Sequence, residues 1–418
     1  MVRHRHTFLT LSTLAFQSFV AAKYAVYEVK TADLTSRSDI FKYGPEISQV
    51  LVNDEIPNSK LGEKIITSEK LHQMIKNTFK TSENWYESYH NDTEILGYYD
   101  QLFEVYNADK THDSIIKSSL GKSIENRTIF QYILPARTQP AKHNVVLNCA
   151  IHAREWIAPA SCQYFIEEYL NSTEFQEISN VMDLYLIPID NVDGYAYTWE
   201  CQNCTYPDGD EHRLWRKTRN PNTNVDNPEN CYGIDLNRNF DAGFGGEGSS
   251  GDPCSTTYRG VAAESEIEAK VVADLVRDKN PILFIDLHSY TQKLLFPYGY
   301  TLQNATTRPT LEKLGQMACD EMKKVDNVTY VTGSSSDSLY INSGSSKDWA
   351  YDAGVPLSYT VRSKMLVRLP QFGHFRGFLS EMFGQKIDFS KLPNKTSPKA
   401  IFEKSIFCPK ISLQKPQK

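Results

Sequence analysis

The chain has 418 residues with 45 Lys+Arg against 51 Asp+Glu, a formal charge of −6, and it is 40% hydrophobic and 23% charged. Those values are ordinary for a globular protein, and the mild acidity argues against a nucleic-acid partner held mainly by charge. An aromatic content of 12% and many β-branched runs supply a large core, which excludes disorder throughout.

In chain order, residues 1–22 read as a signal peptide. A basic head (Arg3, His4, Arg5, His6) precedes the apolar run Phe8 to Val20 and the small pair Ala21–Ala22. The run is too short and too Ser/Thr-interrupted for a membrane span. Cleavage there removes Arg3 and Arg5 and moves the formal charge from −6 to −8. Secretion also accords with an even number of cysteines, eight, and with Asn-x-Ser/Thr sequons at Asn91, Asn126, Asn171, Asn203, Asn304, Asn327 and Asn394. Cys201-x-x-Cys204 has no second metal-binding pair nearby, so it reads as a disulfide-tied loop.

Residues 23–80 read as a small α/β appendage with strand-like Tyr24 to Val29 and Gln49 to Val52 and a helical stretch from Ser68 to Phe79. A solvated, cleavable linker follows around Lys76 to Glu83. Strands and helices then alternate. Asn144 to Asn148, Leu184 to Ile189 and Pro281 to Leu287 are strands; Trp156 to Leu170 and Ala263 to Lys279 have helical spacing, and Gly243 to Gly251 is a loop. This alternation predicts an α/β fold with a mixed, largely parallel central sheet and helices on both faces. The main α/β unit is assigned to 81–385, and 386–418, with eight Lys against Asp388 and Glu403, reads as a basic, poorly ordered tail.

The sharpest chemical signal is His152-Ala-Arg-Glu155, after a strand and at the start of a helix. Its imidazole and carboxylate, three residues apart, can converge on one metal ion. His288 directly follows the apolar strand; alone it is equally a core histidine. Sites in open α/β sheets form at the C-terminal ends of strands, where both pieces lie. A short spacer plus a distant third ligand gives a His₂Glu set with a fourth position left for water.

Several ordered motifs accompany that cluster: Asn148-Cys-Ala-Ile-His-Ala-Arg-Glu-Trp156, Leu214-Trp-Arg-Lys-Thr-Arg219 and Gly233-Ile-Asp-Leu-Asn-Arg-Asn-Phe-Asp-Ala-Gly243. His288-Ser-Tyr290, Pro297-Tyr-Gly299 and Lys347-Asp-Trp349 follow. From about Tyr98 to Trp349 the chain resembles the zinc metallocarboxypeptidases of the pancreatic A/B type (peptidase family M14). The resemblance implies one Zn²⁺ per chain on His152, Glu155 and His288, and Arg216 as the catalytic group polarising the scissile carbonyl. It implies Asn237 and Arg238 as the grip on a terminal carboxylate, Arg154, Ser289 and Tyr290 along neighbouring subsites, and Tyr340 closing over the last residue. It also implies disulfides Cys149/Cys162 and Cys231/Cys254. Partners are then peptide or protein C termini and the chain's own prosegment as an intramolecular inhibitor, with no nucleic acid and no membrane.

The resemblance also places Lys347 on the floor of the specificity pocket, where an ammonium would favour acidic termini unless it bends outward. At the place of the family's general-base glutamate, on the strand Leu357 to Lys364, stands Arg362, which cannot accept a proton. Beyond Thr360 the similarity fades. The expectation is a secreted carboxypeptidase made as a zymogen; the alternative is an impaired relative that binds zinc and peptide C termini without efficient turnover.

Overall fold

The computed structural model describes residues 24–30, 39–42, 47–53, 64–66, 85–108, 113–171, 175–200, 208–227, 231–326 and 328–363. The predicted helix Ser68 to Phe79, the linker around 76–83, the tail 386–418, Cys201, Cys204 and Cys408 lie outside them.

In the first segment, β1 (Tyr24–Lys30), β2 (Asp39–Lys42), β3 (Ile47–Asn53) and β4 (Lys64–Ile66) make an antiparallel sheet in the order β2-β3-β1-β4. The main sheet has eight strands in the order β11-β10-β12-β9-β7-β8-β6-β5. Its members are β5 (Ile116–Lys122), β6 (Thr128–Leu134), β7 (His143–Cys149), β8 (Met182–Ile187), β9 (Leu283–Ser289), β10 (Lys293–Phe296), β11 (Val331–Ser334) and β12 (Leu357–Ser363). The centre, β12-β9-β7-β8, is parallel, whereas β8-β6-β5 and β10-β12 pair antiparallel. The fold is therefore mixed α/β, as the alternation predicts.

Parallel strands need both faces covered. Helices α1 (Asp92–Ala108), α2 (Ile157–Asn171), α3 (Val192–Tyr197), α4 (Ile267–Lys279), α5 (Arg308–Asp326) and α6 (Ser346–Asp352) do this. Every residue of β9 is buried, the polar Asp286 and His288 included. Helix α2 packs on β7 and β9, α4 on β5 and β7, and α6 on β9 and β12. Among the described residues no helix is long and apolar enough to cross a membrane.

Two strand boundaries move for local reasons. β8 stops at Ile187 because Pro188 has no N–H to give the ladder, and it starts at Met182, which pairs with His143. β9 runs on through His288 and Ser289 because β12 pairs with it to Arg362 and Ser363. Cys231–Cys254 is a disulfide. Cys149 and Cys162, expected to be bonded, are instead separate buried thiols. Packing of α2 on β7 brings them together, and burial and then the Cys162 thiol push the Cys149 thiol well above its ordinary range.

Candidate active site

β7 and β9 are neighbours, and the chain leaves β7 toward β8 on the opposite side, which opens a crevice at their C-terminal ends. His152 lies in the turn after β7, Glu155 just before α2, and His288 at the end of β9. Their ligand atoms lie within 4.8 Å of one another and all three side chains are buried.

The two imidazoles are oriented from behind. His152 Nε2 is 3.1 Å from Asp235 Oδ1, and His288 Nε2 is 3.0 Å from Asp286 Oδ2. Each ring therefore turns Nδ1 inward: the two Nδ1 atoms are 3.1 Å apart, His152 Nδ1 is 3.0 Å from Glu155 Oε1, and His288 Nδ1 is 3.1 Å from Glu155 Oε2. With both Nε2–H groups given to carboxylates, the inward atoms are two bare ring nitrogens and a carboxylate, acceptors facing acceptors. A cation resolves that clash. Tetrahedral zinc with ligands at 2.0–2.2 Å holds its donors about 3.4 Å apart, close to this spacing, so the residues fit the ion.

Burial opposes charge on Glu155, yet His152 and His288 outweigh it and hold the carboxyl well below its usual range. Burial likewise disfavours charge on Asp235, but Arg216 and Arg238 overcome it. Burial, then Arg216, lowers His152; at His288 the effect of burial is overturned by Asp286 and Glu155, which raise it.

A cleft open to solvent runs past this group, lined by His152, Glu155, Arg216 and Arg238 among others. Arg216 donates through Nε (3.1 Å) and Nη2 (2.8 Å) to Asp235 Oδ2, which fixes its guanidinium beside Glu155. Arg238 is 3% exposed; Nε donates to Gly248 O and Nη1 to Asn237 O, both at 2.7 Å, and Nη2 lies 3.5 Å from Tyr340 Oη. Asn237 Oδ1 accepts from Ser346 N at 2.9 Å, and its Nδ2 is 3.4 Å from His288 Nε2. Gly344 lets the loop carrying Lys347 close on this turn: its φ is +78°, and a Cβ there would lie 2.2 Å from Arg238 O. Arg154, Ser289, Tyr290 and Tyr340 line the same cleft, and Ser289 N donates to Glu155 Oε2 at 2.9 Å.

Lys347 does not bend outward. It is 2% exposed and borders the cleft, with Nζ donating to Asp348 Oδ1 at 2.6 Å and lying 3.4 Å from Ser345 Oγ. Arg362, paired in register with His288, also lines the cleft. The sequence reading leaves out Asp235 and Asp286 as functional residues. The available signal was an aspartate two positions before His288 in an otherwise apolar strand, and one two positions before Asn237.

The sequence model described as zinc carboxypeptidase matches residues 105–377. Bovine (Bos taurus) carboxypeptidase B is 35% identical over 323 residues, 74% of this chain and 72% of the relative. Bovine carboxypeptidase O is 37% identical over 281 residues, 66% of this chain and 70% of the relative. Among solved structures, bovine thrombin-activatable fibrinolysis inhibitor in complex with tick carboxypeptidase inhibitor superposes with a TM-score of 0.62 at 32% identity, covering 72% of this chain and 98% of that one. Carboxypeptidase A from Helicoverpa armigera shares the fold, with a TM-score of 0.72 at 24% identity over 87% of this chain and 96% of that one.

Proposed function

Because the chain belongs to the zinc carboxypeptidase family, we propose that it is a secreted, zinc-dependent enzyme that removes the last residue of peptides, with a preference for acidic residues. The observation that carries this reading is the convergence of His152, Glu155 and His288 beside two fixed guanidinium groups, Arg216 and Arg238, in one cleft.

A Zn²⁺ held by His152, Glu155 and His288 supplies Lewis acidity toward the scissile carbonyl and toward water at neutral pH. Arg238 and Asn237 take the terminal carboxylate, which fixes the register of the peptide and limits cleavage to its end. Arg216, held by Asp235, donates to the carbonyl oxygen as negative charge grows there. Arg154, Ser289 and Tyr290 line the way to the upstream residues, and Tyr340, beside Arg238, covers the last one. The Lys347 ammonium has three donors; Asp348 and Ser345 engage two and leave one for an acidic side chain. Residues 23–80 act as an inhibitory prosegment of a zymogen. Secretion is supported by the leader-like residues 1–22 and by exposed sequon asparagines Asn126, Asn171 and Asn304.

Arg362 favours a second reading. A guanidinium cannot take a proton from water, and loss of a general base costs about 10²–10⁴-fold in rate. On that reading the chain binds zinc and peptide C termini without efficient turnover. Assay of the processed chain on peptides ending in Glu, Leu or Lys separates the two. Fastest release of Glu and slowest of Lys is expected. Release from none of them, with zinc bound, establishes the binding-only reading, and fastest release of Lys contradicts the role of Lys347. Equal activity with and without residues 23–80 contradicts the zymogen.

A further inference from the structure

Five cationic side chains line the cleft, Arg154, Arg216, Arg238, Lys347 and Arg362, against one carboxylate, Glu155. Asp235 binds Arg216, and Asp348 binds Lys347. Arg362 differs from both. It makes no ion pair with any described residue; it is held by two backbone carbonyls, Nε donating to Tyr290 O at 2.9 Å and Nη2 to Ser289 O at 3.3 Å. Those contacts fix the guanidinium, and among the described residues Nη1 has no hydrogen-bond partner. Its place in the sheet adds to the local positive charge. Arg362 pairs in register with His288 on β9 and with Lys293 on β10, so a second cation stands beside it.

We propose that Arg362 is a specificity residue that binds the acidic side chain of a peptide's penultimate residue, so that the cleft selects C termini ending in two acidic residues. This rests on the carboxypeptidase reading above. With the terminal carboxylate on Arg238 and the last side chain toward Lys347, the scissile carbonyl lies at Arg216 and the His152–Glu155–His288 group. The preceding residue then passes over Ser289 and Tyr290. Ser289 joins the two regions, its N–H on Glu155 and its carbonyl on Arg362. A carboxylate arriving there neutralises a charge that the described residues leave uncompensated, and a lysine arriving there is repelled.

The test measures binding and hydrolysis of acetyl-Glu-Glu, acetyl-Gln-Glu and acetyl-Lys-Glu by the zinc-loaded, processed chain, by calorimetry and by kcat/KM. The wild type is expected to favour penultimate Glu over Gln by about tenfold, and over Lys by more. Arg362→Gln is expected to bring the Glu/Gln ratio within about twofold while retaining the preference at the last position. Should that variant fail to fold, the wild-type ratio itself is expected to shrink as salt rises from 0.05 to 0.5 M, since a part-exposed ion pair is screened (both roughly chosen concentrations). Binding of all three peptides within about twofold of one another overturns the proposal and leaves the carboxypeptidase reading standing. Binding of none overturns both.

Discussion

At the scale of single residues, Arg362 is the most consequential position. It stands at the end of β12 beside His288, bordering the cleft that holds the three-residue metal group. A carboxylate there could accept a proton, whereas the guanidinium has donors only. Arg362→Glu is therefore expected to raise kcat about 10²-fold or more on peptides ending in Glu, measured by steady-state hydrolysis at neutral pH. An unchanged or lower kcat would show that the proton of the attacking water leaves by another route. The His-x-x-Glu spacing and the distant His288 were legible in the sequence, because each rests on local spacing or on an ordered motif, whereas Arg362 stood out only against the family resemblance. Asp235 and Asp286 were not, because what marks them is the approach of one side chain to another through the fold. Asp235 reaches a histidine 83 positions away. The partner of Lys347 is its own neighbour Asp348, yet only the turn at the head of α6 shows that the carboxylate and the ammonium face each other.

At the scale of elements, periodicity reported the strands and helices well, and the discrepancies lie where tertiary contacts decide an end. The helix expected from Ala263 begins at Ile267 because the preceding residues are held in other conformations. Glu264 has a φ of +54°, and Glu266 is extended, with its carboxylate taken by Thr218 and Asn220 and its N–H by Asn239. The same long-range control applies to the loop before it. Cys231 and Cys254 are 23 positions apart, and their bond encloses the turn that carries Asp235, Asn237 and Arg238. Closing a loop of that length restricts the unfolded chain by about 3 kcal/mol. Replacing both cysteines with serine is expected to lower the free energy of unfolding by roughly that amount in a denaturant titration. No change in the midpoint would mean that packing alone holds the turn. The pairing of Cys149 with Cys162 was expected from resemblance, and proximity is the part of it that the fold supplies. Spacing in the chain carries no information on whether two neighbouring thiols are joined.

At the scale of the whole molecule, the core holds carboxyl groups that the composition does not reveal. Asp190 and Glu268 are buried at 0% and 2% exposure, and among the described residues Asp190 Oδ1 and Glu268 Oε1 find no hydrogen-bond partner. Burial, with Glu266 and Asp193 adding to it, pushes the Glu268 carboxyl up to about 8. In the unfolded chain a glutamate ionises near 4.3. Between those values the folded state binds the extra proton, so stability falls as pH rises from about 4.3 toward 8 and levels off above. Glu268→Gln removes that linkage. The variant is expected to unfold at a higher temperature than the wild type at pH near 8 and to lose that advantage near pH 4 (both roughly set by the two ionisations). A pH-independent difference would show that folding does not raise the Glu268 ionisation.

The account as a whole depends on one divalent ion drawing together residues from two neighbouring strands of the sheet. Elemental analysis of the purified chain, set beside that of His288→Ala, tests this most directly. One zinc per wild-type chain and its loss from the variant, with the far-ultraviolet circular dichroism of the two unchanged, is the result expected. A wild-type chain that folds without zinc and does not take it up on addition would contradict the account.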